Sequence, residues 1–271
     1  MPALDDHALA ADLAQRAGRL LLGLRANGGD PDVLRKAGDR QSHEFLMAEL
    51  AKARPGDVVL SEEGTDDKAR LTADRVWIVD PLDGTREFGE PGRSDWAVHV
   101  ALWARDAPAP LGQWPGTGRA AARAGYLIAG AVALPAQECV LSTATPITFP
   151  GDEGAERPLR MVVSRSRASD LVKAVAARIH ADIVPCGSAG AKVATVVLGE
   201  NDAYLHSGGF YEWDTAAPVA VARASGFHVS RIDGSPVVYN QEDPLLPDIL
   251  VCRPAIAPVL LNAIREATHA I

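Results

Sequence analysis

Residues 77–88 read WIVDPLDGTREF. The apolar run VWIV (76–79) is short and β-rich, so it reads as a buried strand, and it runs directly into Asp80. Pro81 sets the next φ and removes a backbone donor. A second acid follows at Asp83, then Gly84 and Thr85. Asp-Gly is a preferred tight-turn pair, so a turn accounts for Asp83 and Gly84. It does not account for an acid placed directly after a buried strand.

Outward from this stretch, acids recur at strand ends or helix starts. VVL (58–60) reads as a strand running into Ser61-Glu62-Glu63, and Asp214 opens a helical segment beside Trp213. Each acid also has a plain reading: solvated glutamates, a turn, a helix N-terminal acid that suits the macrodipole. Two like charges about 4 Å apart repel by roughly 4 kcal/mol at an effective dielectric of about 20. If Glu62, Asp80, Asp83 and Asp214 converge, they need cations, and an all-oxygen donor set selects hard ions such as Mg²⁺. No Cys/His cluster suggests zinc. Gly84 and Thr85 supply a close backbone approach for phosphate, N–H groups of a following helical turn, and a hydroxyl to orient water. Residue types alone therefore suggest a multi-Mg²⁺ phosphate hydrolase. The aspartyl-phosphate phosphatases of the haloacid dehalogenase type use DxDGT, with the first Asp as nucleophile. Here that position is Pro81, so the covalent route lacks its residue.

The rest of the chain supports an α/β fold. Leu9, Leu13, Leu20 and Leu24 give residues 3–26 helical spacing, and a second helix is expected over 43–53. WAVHVALW (96–103), YLIAGAVALP (126–135) and CVLS (139–142) read as strands. Residues 106–119 are rich in Pro and Gly and read as an exposed loop, with Trp114 its one aromatic residue. The polar break at 150–158 divides an N-terminal α+β lobe (1–150), carrying the metal site, from a C-terminal α/β lobe (151–271) that contributes Asp214 and substrate contacts. After the break strands and helices alternate: strands at 159–164, 182–185, 203–206 and 248–252; helices at 168–180, 189–199, 213–226 and from Pro254 on. Such alternation predicts helices layered over a sheet, within a single phosphatase domain.

The chain has 271 residues, 47% hydrophobic, with a formal net charge of −8. The negative balance argues against binding nucleic acid polymers or anionic membrane non-specifically. Three cysteines without a CxxC pair do not form a disulfide framework, and a reducing cytoplasm fits them. The charged N-terminal helix is not a secretory signal, and no apolar run is long enough to span a membrane.

SEE (61–63), WIVDPLDGTREF (77–88) and EWDTAAPVAVARASG (212–226) together resemble the three signatures of the inositol monophosphatase superfamily. LSEE, PLDGTREF, VVSRSR (162–167), GSAGAK (187–192) and EWDTAAP further resemble its CysQ-type branch, notably actinobacterial members. The resemblance implies an α-β-α-β-α sandwich and a Mg²⁺-dependent, Li⁺-sensitive phosphatase. Its small-molecule substrate would be adenosine 3′,5′-bisphosphate (PAP) or its sulfated form PAPS, in sulfate assimilation. Inositol phosphates and fructose 1,6-bisphosphate are the alternative substrates, and a homodimer is implied by analogy. A non-catalytic scaffold is the remaining reading, against which the full acid set stands.

Carried over by position, Glu62, Asp80, Asp83, the Leu82 carbonyl and Asp214 match metal ligands for two Mg²⁺, with a third near Glu62. Thr85 with Glu62 matches the pair that activates water, and Gly84 with Thr85 matches the phosphate cradle. Ser188 and Lys192 match nucleotide-contacting positions; by spacing alone Lys192 would be a surface lysine. Arg167 and His206 stand where relatives often have His and Arg. In LRKAGDRQSH (34–43) Asp39 matches the last Asp of a KxDxSPVTxAD segment whose SPVT part is absent, which leaves open whether Lys36 or Asp39 assists the water. Arg86 either meets a second phosphate or pairs with an exposed acid. Arg165 and Arg167 lie just past a strand, where they either meet an anion or are simply solvated, and His99 reads as a core histidine with no role.

Overall fold

The chain opens with a helix, α1 (Asp6–Ala26), in a computed structural model that describes residues 4–107, 125–148, 157–166 and 168–268. Asp5 caps it by accepting from the Ala8 N–H at 2.7 Å. Leu9 and Leu13 are buried as expected, but the buried stripe continues through Ala17 and Leu21, and Leu20 and Leu24 are only half-buried. The second helix, α2 (Pro31–Ala53), starts twelve residues before the expected 43–53. Asp30 caps it and Pro31 occupies its first turn, a standard start signal. The early half escapes a hydrophobicity reading because its buried stripe runs Gly38, Ser42, Leu46, Leu50, and the first two are small. Gly38 is required for packing: a Cβ there would stand 2.9 Å from both Leu82 and Phe88.

Two five-stranded sheets follow. The first comprises β1 (Val58–Ser61), β2 (Arg75–Asp83), β3 (Ala97–Ala104), β4 (Tyr126–Leu134) and β5 (Cys139–Ser142), in that spatial order. β1 and β2 are parallel; the remaining pairs are antiparallel. α3 (Thr85–Gly89) is a single turn after β2. The second sheet comprises β6 (Arg160–Ser164), β7 (Asp182–Cys186), β8 (Ala203–Tyr211), β9 (His228–Ser230) and β10 (Leu245–Cys252) in the order β7-β6-β8-β10-β9. β6 is parallel to both β7 and β8. The alternation of strand and helix anticipated this sheet; β9, three residues long, carries too short a pattern to be read.

The helices of the second half are α4 (Asp170–Arg178), α5 (Ala189–Val197), α6 (Glu212–Ala224) and α7 (Ala257–Thr268). Three apolar cores define the layers. α1 and α2 cover the outer face of the first sheet through Leu13, Leu21, Leu46, Trp77 and Val100. α5 and α6 fill the space between the sheets with Val193, Val197, Ala217 and Val221, against Val76 and Ile78 on one side and Tyr204 and Ile249 on the other. α4 and α7 cover the far face of the second sheet through Val175, Leu260 and Ile264. The architecture is the expected α-β-α-β-α sandwich, and its central core joins the two halves. Residues 150–156 of the expected break at 150–158 lie outside the described residues, as do residues 108–119 of the expected loop at 106–119, with Trp114. Among the described residues no helix is long and apolar enough to cross a membrane.

Candidate active site

Both sheets aim the carboxyl ends of a parallel strand pair at one cavity of about 480 Å³. From the first sheet, β1 ends at Ser61 before Glu62, and β2 ends with Asp80 and Asp83. From the second, β6 leads to Arg165 and Ser166, and β7 to Gly187 and Ser188. α6 adds Asp214 from its first turn.

A β-bulge makes this possible. Side chains three apart on a regular strand point to opposite faces. Asp80 pairs with His99 and Asp83 with Ala97, so three steps on β2 oppose two on β3. The extra residue restores parity, and both carboxylates face the cavity. Pro81, which lacks an N–H, is suited to a bulge. The Ser42 hydroxyl holds its carbonyl at 2.7 Å from α2. Asp80 Oδ1 accepts from the Leu82 N–H at 3.0 Å. Gly84 has φ +83°, and its missing Cβ faces Ser188 and the backbone of Asp95 and Trp96 at 3.0–3.3 Å. Its glycine is thus demanded by the turn and by packing against protein.

Glu62, Asp80, Asp83 and Asp214 all line the cavity. Burial drives the Asp80 carboxyl well above its usual range, and Glu62, Asp83 and Asp214 add to the effect. Glu62 is pushed up to about 8 by its protein surroundings first, then by Asp214 and Asp83. It keeps an exposed edge, so the like charges are the firmer cause. Asp80 Oδ2 is buried without a hydrogen-bond partner. An orphaned carboxylate oxygen among three more carboxylates, with a backbone carbonyl at Leu82, is a donor set that fits a hard divalent cation. Asp214 also does what a helix N-terminal acid does, accepting from the Tyr211 N–H at 2.6 Å.

Thr85 Oγ1 lies 3.2 Å from Asp39 Oδ1 and 3.0 Å from the Leu82 carbonyl. Asp39 thus reaches the site through Thr85, while Lys36 is exposed on α2 and does not line the cavity. The Asp39 carboxyl is raised to about 6, by burial first and then by Glu63, against the Thr85 hydrogen bond. A raised value means the folded state holds this proton more tightly than the unfolded state. The associated stability is complete below about pH 4 and is lost as pH rises through about 6. The rise from 3.8 to about 6 corresponds to about 3 kcal/mol. In chelator, Asp39→Asn is therefore expected to be more stable than wild type at pH 8, by up to about 3 kcal/mol, and no more stable at pH 4. Urea unfolding at the two pH values checks this, and identical differences at both would refute it.

The expected substrate contacts divide. Ser188, Lys192, His206, Gly84, Thr85 and Arg86 all line the cavity. Lys192 is no surface lysine: it is 3% exposed, its Nζ donates to the carbonyls of Gly187 and Ser188, and it sits 5.3 Å over the Tyr204 ring. Spacing within α5 misplaced it because that helix is buried between two sheets. Ser188 accepts from the Ala191 N–H at 2.8 Å and so caps α5. Arg86 is exposed at the cavity. Arg165 also lines it, paired with Glu87 at 2.6 Å and Glu90 at 2.9 Å. Arg167 lies outside the described residues. Sequence reasoning missed Tyr204 and Phe210, whose rings flank His206 at 6.3 and 4.9 Å, and it gave His99 no role. A run of aromatics on alternate positions of β8 was the available signal; it was obscured by Gly208 and Gly209.

Known proteins resemble this chain in sequence and fold. The chain is 48% identical over 266 residues to a 3′-phosphoadenosine 5′-phosphate phosphatase of Mycobacterium leprae, covering 97% of this chain and 94% of that one. It is 28% identical to the 3′(2′),5′-bisphosphate nucleotidase CysQ of Escherichia coli K12, covering 86% and 94%. The crystal structure of CysQ from Bacteroides thetaiotaomicron superposes with a TM-score of 0.71 at 28% identity, over 91% of this chain and 96% of that one. Inositol monophosphatase II of Staphylococcus aureus, 19% identical, shares the fold with a TM-score of 0.76 over 97% and 96%. The family model for inositol monophosphatases matches residues 8–115 and 116–269, almost the whole chain and all four clustered acids, and the protein belongs to the inositol monophosphatase family.

Proposed function

We propose that the protein is a Mg²⁺-dependent phosphatase that hydrolyses the 3′-phosphate of PAP, and of PAPS, giving AMP and phosphate in the first case. The observation that carries this is one cavity lined both by the four acids and by Lys192, His206 and Phe210. Acids suit a cation-bound phosphate; a cation and aromatic faces suit a nucleotide. A volume of about 480 Å³ is of small-molecule size. The mycobacterial relatives bear the name of this activity over nearly their full length. The reading includes a cytoplasmic homodimer acting in sulfate assimilation.

Glu62, Asp80, Asp83, Asp214 and the Leu82 carbonyl would hold two Mg²⁺ ions, with a third beside Glu62; bound there, the metal would acidify the attacking water and neutralise charge on the phosphate. Thr85 has one hydroxyl proton, and both neighbours at 3.0–3.2 Å, Leu82 O and Asp39 Oδ1, are acceptors. Toward the cavity it therefore offers a lone pair. It accepts from the attacking water and turns that water's own lone pair to phosphorus. Glu62 takes the water's proton. Gly84 and Thr85 would border the phosphate, and Ser188 and Arg86 would join Lys192 and His206 around the rest of the substrate; Arg167 enters this reading by the family resemblance alone. Attack is direct, because Pro81 occupies the place of an aspartyl nucleophile.

Arg165 is satisfied by Glu87 and Glu90, which favours a structural clamp between β6 and α3 over a phosphate contact. The deciding experiment is a kinetic comparison of PAP, inositol 1-phosphate and fructose 1,6-bisphosphate with Mg²⁺, repeated with Li⁺. PAP is expected to have the highest kcat/KM, with Li⁺ inhibiting. Turnover of PAP less efficient than both others would move the protein to the inositol or sugar phosphatases.

A further inference from the structure

We propose that Asp95 is a positioning residue that sets the nucleotide half of the cavity; this rests on the reading of Ser188 and Lys192 as nucleotide contacts. Asp95 lies just before β3 and does not itself line the cavity. Its carboxylate and its carbonyl both face the link between β7 and α5. Oδ2 accepts from the Gly187 N–H at 2.6 Å, and the backbone carbonyl accepts from the Ser188 N–H at 3.1 Å. The carbonyls of the same two residues accept from Lys192 Nζ. One side of this short segment is therefore fixed by Asp95, and the other holds an ammonium that lines the cavity. Ser188 also caps α5, so the place of residues 187–188 sets where that helix begins.

Charge and packing hold Asp95 in place. Arg93 Nε donates to Oδ1 at 2.8 Å, and the same guanidinium also donates to Oδ2. Arg25 on α1 steadies the loop that carries both residues, donating to the carbonyls of Arg93 and Glu90 at 2.6 Å each. A Cβ on Gly187 would stand 2.5 Å from Glu87 Cγ and 2.8 Å from the Asp95 carbonyl, so the segment is wedged between α3 and this loop. A strut thus runs from α1 through residues 90–95 to the backbone that orients Lys192. None of its members is one of the four clustered acids, so its loss should spare the phosphate half of the cavity. A hydrogen bond to a charged acceptor commonly shifts an equilibrium about tenfold or more when it is removed.

The test uses the two products, which report on the two halves of the cavity. With Mg²⁺ present, AMP and inorganic phosphate are titrated as inhibitors of PAP hydrolysis, alongside kcat and KM for PAP and thermal unfolding. Asp95→Ala is expected to raise KM for PAP and the inhibition constant of AMP about tenfold or more, with kcat within about threefold and the phosphate constant within about twofold of wild type. Asp95→Asn keeps an oxygen that can accept from the Gly187 N–H, while Arg93, a third exposed, turns to water. It is expected to stay within about threefold of wild type in every constant. Asp95→Ser is too short to reach Gly187 and is expected to behave as the alanine variant. Should Asp95→Ala fail to fold, the serine and asparagine variants decide: the first weakened for AMP alone and the second near wild type supports the proposal. A lower melting temperature with the AMP constant within about twofold of wild type in all folded variants overturns it and leaves Asp95 a structural residue. Equal weakening of AMP and phosphate overturns it too, as does an asparagine variant as weak as the alanine one. Lys192→Met is expected to raise the AMP constant at least as far as Asp95→Ala. If it leaves that constant unchanged, or if the wild-type protein does not hydrolyse PAP, the nucleotide reading itself falls, and this proposal with it.

Discussion

Asp83→Asn is expected to lower phosphatase activity by at least about 10³-fold while leaving the fold intact. Such a loss is about 4 kcal/mol of transition-state stabilisation. The fold survives because the amide oxygen can still accept from the Gly190 N–H, the contact that Asp83 Oδ2 makes at 2.8 Å. The amide nitrogen must then take the other position and turn donor protons toward the cavity. A cation at that point loses a charged ligand and meets a partial positive charge. Circular dichroism and thermal unfolding should match wild type within a few degrees, and kcat/KM for PAP should collapse. Retention of more than about a tenth of wild-type activity would sink the metal-ligand role of Asp83.

Mg²⁺ is expected to stabilise the wild-type protein strongly, and Asp80→Asn is expected to reverse the balance. In the metal-free protein Asp80 is 1% exposed, with one oxygen unpartnered and like charges on Glu62, Asp83 and Asp214 beside it. Both Asp80 and Glu62 have raised folded-state values, Glu62 to about 8. The stability they contribute is therefore present at pH below about 4 and is lost as pH rises toward 8. A cation that binds only the folded state stabilises it by about 2.7 kcal/mol at a hundred times its Kd. For a chain of this size that is about 5–10 °C in Tm. The Mg²⁺-induced rise should be larger at pH 8 than at pH 5. In Asp80→Asn the metal-free Tm should rise above wild type, the Mg²⁺ effect should shrink, and activity should fall with it. Scanning calorimetry with EDTA and with Mg²⁺ at the two pH values measures all three. A metal-free Asp80→Asn protein less stable than wild type at pH 8 would show that Asp80 is not strained by its neighbours.

Much of the site was legible because its signals are local. A buried strand ending in an acid, a proline that suits a bulge, and a glycine at positive φ are properties of a few consecutive residues, and WIVDPLDGTREF contains them all. The strands and most helices were legible for the same reason, since their apolar residues recur with the period of the element. The first half of α2 was hidden because the face it buries at Gly38 and Ser42 is small. Its small residues let α2 approach Leu82 and Phe88, so the feature that hid the helix also brings Asp39 to Thr85.

Local chain chemistry was enough to specify the layered α/β class, the four acids and the absence of an aspartyl nucleophile. It could not say which way side chains three apart would point, because that depended on one extra residue of β2 against β3. Nor could it bury Lys192, since a helix between two sheets has no solvent face and a pattern of residues does not reveal a second sheet. His99 is the clearest case. Within WAVHVALW it is one polar residue on a strand, and its neighbours Asp83, Gly190 and Trp213 come from three other elements. Contacts of that kind are set by packing between distant segments, which no stretch of sequence contains.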